Sequence, residues 1–176
     1  MDQLLNGGRR MAPAIRQATV RDAAELARLL TQLGHPTDAA RIEAFWDAWA
    51  AEGNAAYVAE GEGGALAGVI TTHRMLVLHR PHPVGRVTSL VVEESLRGQG
   101  IGRALMAAAE RALREAGCGL VEITSNVKRA DAHAFYESLG YERTSVRMAR
   151  AVTPPSAHAA PPPASTAASR DRAARS

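Results

Sequence analysis

The sequence predicts an α/β (α+β) domain built on one mixed sheet, and three observations lead there. Along residues 14–151 the apolar pattern switches repeatedly between the alternation of strands and the three-to-four spacing of helices. Residues 55–76 read as two alternating segments joined by an acidic, glycine-rich turn, which is an antiparallel hairpin. Residues 86–125 read as strand, glycine turn, helix and strand, a crossover that joins parallel strands. The expected sheet is therefore mostly antiparallel with one central parallel βαβ pair. The expected order is β-α-α-β-β-β-α-β-α-β.

Each element has its own signal. AIRQATV (14–20) is a short strand, and Thr19 with Asp22 three residues on marks a helix start. Ala23, Leu26, Ala27, Leu29, Leu30 and Leu33 then form a broad apolar stripe that ends at Gly34. A second helix runs from Asp38 to Ala51 and carries Phe45, Trp46 and Trp49. AAYVAEG and ALAGVITTHRML form the hairpin, and GRVTSLVVEE is a strand that follows the proline-broken HRPHPV. Ile101, Leu105, Ala108, Ala109, Ala112 and Leu113 give the next helix one apolar face, and Gly117 stops it. GLVEITSN is a strand, DAHAFYESLG a short helix, and YERTSVRMARA a final strand.

Composition sets the boundaries. A chain of 176 residues with 46% hydrophobic content suits one globular domain. The stretch 152–176 is Pro, Ala, Ser and Arg without apolar periodicity and is expected to be disordered, as are residues 1–12. That leaves residues 13–151 as the folded domain. No apolar run approaches the roughly 18 residues of a membrane span, and the N-terminus lacks the pattern of a secretion signal. Cys118 is the sole cysteine, so no internal disulfide forms; a reducing, cytoplasmic setting follows, with Cys118 as a small buried apolar group.

A sequence pI of 9.6 suggests nucleic acid, but the distribution of charge opposes it. Five arginines lie in the two extensions, and residues 11–150 hold 16 basic and 16 acidic side chains. A nucleic-acid partner needs a basic face on the folded part, so none is expected.

The most informative stretch is LRGQGIGRAL (96–105). Gly98, Gly100 and Gly102 stand at the entry of a helix, where backbone N–H groups meet the positive end of the helix dipole. Arg97 and Arg103 flank them with groups able to grip phosphate. A tight connection alone would not require such glycine density beside two arginines. A dinucleotide fingerprint requires glycine where Arg103 stands, and a Walker loop requires a lysine and a Ser or Thr that are missing.

Arg97-Gly98-Gln99-Gly100-Ile101-Gly102 resembles the R/Q-x-x-G-x-G/A signature of the GNAT superfamily of acetyl-CoA-dependent N-acetyltransferases. SLVVEESLRGQGIGRAL is similar to that family's fourth strand, pyrophosphate loop and third helix. NVKRADAHAFYESLGYE is similar to its closing segment, and the order of elements over residues 14–150 is also the family's. The stretch ITSNVKRADAHAFY further resembles the aminoalkylphosphonate acetyltransferase branch. That branch carries acids early in its fourth strand, where this chain has Arg86, Thr88 and Ser89, so its substrate is not carried over.

The resemblance implies an acyltransferase that moves the acetyl group of acetyl-CoA to a primary amine by direct attack in a ternary complex. It implies that the backbone N–H groups of Gly98, Gln99, Gly100, Ile101, Gly102 and Arg103, with Arg97 beside them, hold the pyrophosphate. It implies a bulge parting the fourth and fifth strands, with the pantetheine arm along Leu90, Val91 and Val92. The Val92 N–H would polarise the thioester carbonyl. Tyr136 matches the family tyrosine beside the sulfur and would protonate the departing thiolate. Asn126 would bind pantetheine or order its loop. The alternative is a non-catalytic module that binds acetyl-CoA for sensing or regulation.

The acceptor is expected to be a small amine, and its general base stays open among Glu122, His73, His79, His82 and His133. Trp46 and Trp49, a helical turn apart, belong to the core or to an acceptor cavity. The HRPHP segment lacks a carboxylate–histidine repeat, so no metal is expected. No membrane partner is expected, and exposed sheet edges in such folds suggest a homodimer.

Overall fold

A computed structural model describes residues 13–126 and 129–152. The extensions read as disordered, residues 1–12 and 153–176, lie outside the described residues, as do Val127 and Lys128 of the closing motif. The chain divides into two compact units, Met1–Arg143 and Thr144–Ser176.

The first unit holds one five-stranded sheet in the order β1-β2-β3-β4-β5. The strands are β1 (Ile15–Gln17), β2 (Asn54–Glu60), β3 (Leu66–Met75), β4 (Val84–Val92) and β5 (Leu120–Ile123). β1 to β4 pair antiparallel, and β4 with β5 is the parallel pair that the crossover predicts. Four helices complete it: α1 (Ala23–Gln32), α2 (Ala39–Ala51), α3 (Ile101–Glu115) and α4 (Ala130–Glu137).

Two corrections to the expected topology share one cause. The last strand, expected over residues 141–151, is not formed, and the parallel pair therefore sits at one edge of the sheet instead of its centre. Within the second unit, Thr144–Val152 have no regular structure, and Val146, Met148 and Val152 are exposed. Alternation alone does not make a strand: the backbone groups need a paired neighbour, and the described part of that unit supplies none.

The helices sort onto the two faces of the sheet by their apolar stripes. α1 buries Ala23, Leu26, Ala27 and Leu29 and, with Ile42, Trp46 and Trp49 of α2, covers Ala56, Val58, Val69 and Val91. α3 buries Leu105, Met106 and Ala109 against Ala59, Ala67, Ile70 and Val87 on the opposite face. Asp38 caps α2 by accepting the Arg41 N–H at 2.8 Å. Gly117, at φ 82°, ends the turn after α3 as the sequence indicates. Cys118 beside it is only half-buried.

Close packing makes one glycine indispensable. A Cβ on Gly68 would lie 2.9 Å from the Val91 carbonyl oxygen and 3.1 Å from Leu105 Cδ1. The first neighbour is backbone of a paired strand and cannot retreat. Gly68→Ala should cost about 1–3 kcal/mol, read as a lower urea midpoint.

The start of the domain carries an acid-sensitive clamp. Asp22 accepts from Arg16 Nη2 at 2.7 Å and Nη1 at 2.9 Å, and from the Thr19 N–H at 2.8 Å. The Arg16 guanidinium chiefly holds the Asp22 carboxyl down at about 2. A depressed carboxyl stabilises the fold above its unfolded value near 4, and that contribution is lost as pH falls toward 2. Asp22→Asn should remove about 1–2 kcal/mol at pH 7 and flatten the loss of stability between pH 4 and 2. Urea unfolding at several pH values measures both.

Candidate active site

The site begins where two parallel strands part. β4 and β5 run in register from Val84↔Leu120 to Val87↔Ile123, and there β5 ends while β4 continues to Val92. On the other side of β4, Ser89 faces Thr71 while Val87 faces Thr72, so Thr88 is an extra residue in β4. Such a bulge bends the strand, and it falls one residue past the last shared rung. The result is a fork with an open edge along residues 88–92.

The ladder to β3 decides which main-chain groups that edge presents. The Glu93 N–H donates to the Ala67 oxygen at 2.9 Å, which makes that opposed pair a hydrogen-bonded one. Antiparallel pairs alternate, so Val69 and Val91 exchange bonds while Leu90 and Val92 turn their N–H and C=O groups outward. Of the three residues expected to line the edge, Leu90 and Val92 present their backbone and Val91 gives its own to β3. Val91 instead packs its side chain under α1.

Past Val92 the chain enters the glycine turn. Gly98 and Gly100 have φ of 75° and 84°, left-handed backbone that other residues adopt at a cost. Gly100 is also the N-cap of α3 and offers no side chain to satisfy the first turn. The first backbone bond of the helix runs from Ala104 N–H to the Gly100 oxygen at 3.0 Å. Among the described residues, nothing accepts the N–H groups of residues 98–103. A run of unspent donors at the positive end of a helix fits a phosphate group. Gly102 has a different role: its missing Cβ lets Phe135 approach, with Cζ 3.4 Å from where that atom would be. The Ile101 side chain is buried in the core, while Gln99 is exposed.

The two arginines are placed differently from each other. Arg97 turns back, its Nε donating to the Val92 oxygen at 3.4 Å and its Nη1 lying 3.9 Å from Glu94. Arg103 reaches Ser138 at the end of α4, with Nη2 donating to Oγ at 3.3 Å.

Three comparisons bear on this geometry. The model of the acetyltransferase (GNAT) family matches residues 21–141. The chain belongs to the GNAT family. An aminoalkylphosphonate N-acetyltransferase of Salmonella typhimurium is 35% identical over 141 residues, 78% of this chain and 90% of that protein. An aminoglycoside N(6')-acetyltransferase type 1 of Stenotrophomonas maltophilia is 36% identical over 135 residues, 76% of this chain and 88% of its own. A solved acetyltransferase of Trypanosoma brucei shares the fold with a TM-score of 0.70 at 24% identity, over 79% of this chain and 99% of that one. This GNAT protein is thus an acyltransferase of the N-acetyl type, and acetyl-CoA is the acyl donor its family uses.

Within the GNAT frame, Tyr136 stands on α4 against the same core as α3. Its ring meets Phe135 at 5.3 Å and Tyr141 at 6.2 Å between centroids, edge-on in both cases. Burial raises its phenol above the ordinary tyrosine value, and the charge of Arg129 works against that rise. Tyr141 is pinned by donating its hydroxyl to Glu110 at 2.7 Å. Asn126 stands in the turn after β5, its oxygen accepting the Arg129 N–H at 2.9 Å. Burial also raises the Cys118 thiol, which sits in the turn after α3 and away from the fork.

Several pairings at the site go beyond what the sequence shows. Arg86 and Glu122, one rung before the fork, form an ion pair through Nε and Nη2 to Oε1, the Nε contact at 2.7 Å. The Thr71 and Thr88 hydroxyls share a hydrogen bond of 2.7 Å across the bulge. Arg28 of α1 holds Glu93, Glu25 and the Leu66 oxygen together, and Glu93 accepts the Glu94 N–H at 2.9 Å. That cluster ties α1 to the start of the glycine turn. Only strand register reveals the first two, and only the packed helix reveals the third.

Trp46 and Trp49 belong to the α1–α2 core, with ring centroids 5.4 Å apart. His73 lines an open groove of about 560 Å³ with Gly53, Arg74 and Leu76. Among the described residues, no three His, Cys, Asp or Glu side chains gather as a metal site. No described helix is long and apolar enough to cross a membrane.

Proposed function

We propose that this protein transfers the acetyl group of acetyl-CoA to a small amine by direct attack in a ternary complex. The observation that carries the reading is the continuity of two features: the outward-turned groups of Leu90 and Val92, and the unspent N–H groups of residues 98–103. An amide-bearing arm ending in a pyrophosphate is matched by an open strand edge that leads into an anion cradle.

Bound there, acetyl-CoA would place its thioester at the fork. The amine nitrogen attacks the carbonyl carbon, the C–N bond forms and the C–S bond breaks. The Val92 N–H stabilises the oxygen as it gains charge, and the departing thiolate takes the Tyr136 proton. The proton lost by the amine goes to solvent or to a base on the acceptor side. Both curated relatives are named for amine acceptors, an aminoalkylphosphonate and an aminoglycoside, which supports a small amine here. Position argues against a covalent acyl-enzyme, since Cys118 stands beyond α3.

Thiol release from acetyl-CoA, measured over a panel of small amines with acetyl-CoA binding followed by calorimetry, tests the proposal. Amine-dependent release is the expected result. Binding without release for any amine would refute transfer, and no binding would refute the cradle.

A further inference from the structure

The connection between β4 and the glycine turn is organised around one residue, Glu93. Its N–H donates to the Ala67 oxygen of β3 at 2.9 Å, and its carbonyl accepts the Leu96 N–H at 2.9 Å. Its Oε1 accepts the Glu94 N–H at 2.9 Å and so caps the short 3-10 turn of residues 94–96. That turn hands the chain to Arg97, whose N–H donates to the Glu94 oxygen, and then to Gly98. The course of the backbone into the cradle therefore depends on the rotamer of one carboxylate.

That rotamer is set from α1. Arg28 Nη1 donates to Glu93 Oε2, and Gln32 Nε2 lies at a long 3.4 Å from Oε1. The Gln32 amide is a weak second hold, because its own oxygen is buried without a hydrogen-bond partner among the described residues. Arg28 is itself fixed. Nη2 donates to the Leu66 oxygen at 2.9 Å, and Nη2 and Nε reach Glu25 Oε2 at 3.0 and 3.2 Å. Glu25 in turn accepts the Leu66 N–H at 3.0 Å, so the guanidinium is anchored on the first residue of β3. α1 packs on the face of the sheet opposite α3. The connection is thus held from the side that the donor does not occupy in the proposed reading.

We propose that Arg28 is a positioning residue for acetyl-CoA binding: through Glu93 it keeps the β4–α3 connection in the conformation whose N–H groups receive the pyrophosphate. The inference rests on the cradle proposed above. The side chains of Arg28 and Glu93 are 40% and 25% exposed, and an ion pair so open to solvent adds little to stability. Its consequence is geometric. Without Arg28 the carboxylate is free to turn to solvent and give up the Glu94 N–H, and the turn before Gly98 loses its cap. A connection that is competent about a tenth of the time binds its ligand about tenfold more weakly.

Calorimetric titration with acetyl-CoA, beside a thermal melt, tests this on four variants of the full chain. Arg28→Met, which keeps the apolar stem, and Glu93→Ala should each raise the dissociation constant by about five- to tenfold. The double variant should lose no more than about twofold beyond the larger single effect, because Arg28 acts through Glu93. Asp22→Asn weakens the fold at the Arg16 clamp and should leave acetyl-CoA affinity within about twofold. Unchanged affinity in either single variant would overturn the assignment. Losses that multiply in the double variant would also overturn it, since Arg28 would then act by its own charge. A loss in Asp22→Asn as large as in Arg28→Met would do the same, with general destabilisation as the cause. Failure of the unaltered protein to bind acetyl-CoA would instead refute the cradle itself.

Discussion

Gly100→Val should raise the dissociation constant for acetyl-CoA at least tenfold while the protein stays folded. The expectation follows from where strain can go. Gly100 has φ 84° and ψ −3°, and a β-branched side chain in that region is a true outlier. Nothing lies within 4 Å of the added Cβ, so packing does not forbid the substitution. The backbone can relieve itself by rotating φ toward negative values. That rotation swings the peptides on either side and re-aims the N–H groups next to Gly100. The cost therefore falls on anion binding more than on stability, with a loss of about 1–2 kcal/mol in the fold. Gly100→Asn, which tolerates the left-handed region, should bind acetyl-CoA more tightly than the valine variant. Calorimetric titration beside a thermal melt separates the two effects. Normal acetyl-CoA affinity in Gly100→Val would remove the glycine turn from the binding site.

The elements that set up this cradle were legible because their signals are local. Hairpin, crossover and glycine turn each depend on spacing within a few residues, and β2 through α4 form close to the segments that predict them. The unformed last strand shows the boundary of that kind of reading. Within residues 141–151 the pattern does alternate, with Val146 and Met148 on one side and Arg147 and Ala149 on the other. Alternation reports what a strand would do if paired, and pairing is a property of the neighbour. Local pattern predicted the segment and missed its context.

The candidate site divides in the same way. Gly98, Gly100 and Tyr136 announce themselves through motif spacing, since a left-handed turn and a fixed aromatic position leave marks in one short stretch. The separate functions of the glycines do not. Gly98 and Gly100 serve backbone conformation, while Gly102 admits Phe135, a residue 33 positions later. The edge residues were readable as a group, but which of them turn outward depends on the Glu93–Ala67 bond and the alternation it sets. Arg86 was visible as an early position of the fourth strand and Glu122 as one of several candidate bases, with nothing in the sequence to join them. Their pairing needs the parallel register, and the bulge at Thr88 that opens the fork beyond them needs β3 as reference.

Tyr136→Phe should lower kcat by about a hundredfold or more, with acetyl-CoA affinity and thermal stability nearly unchanged. The phenylalanine ring keeps the edge-on contacts with Phe135 and Tyr141 and the burial on the α3 side of the sheet. What it removes is one hydroxyl, so packing energy is an inadequate source for a rate effect of that size. The proposed acid role suits a phenol that burial raises, since it stays protonated through the neutral range. A raised value means that the proton is present below it and lost only above it, so Tyr136 should impose no fall in kcat below about pH 10. Arg129, whose charge opposes that rise, is placed to ease formation of the phenolate after the proton has left. Arg129→Gln should then reduce kcat by a smaller factor than Tyr136→Phe, and the double variant should lose little beyond the tyrosine change alone. An unchanged kcat in Tyr136→Phe would assign the ring to packing, and thiolate departure would then proceed with solvent as its acid.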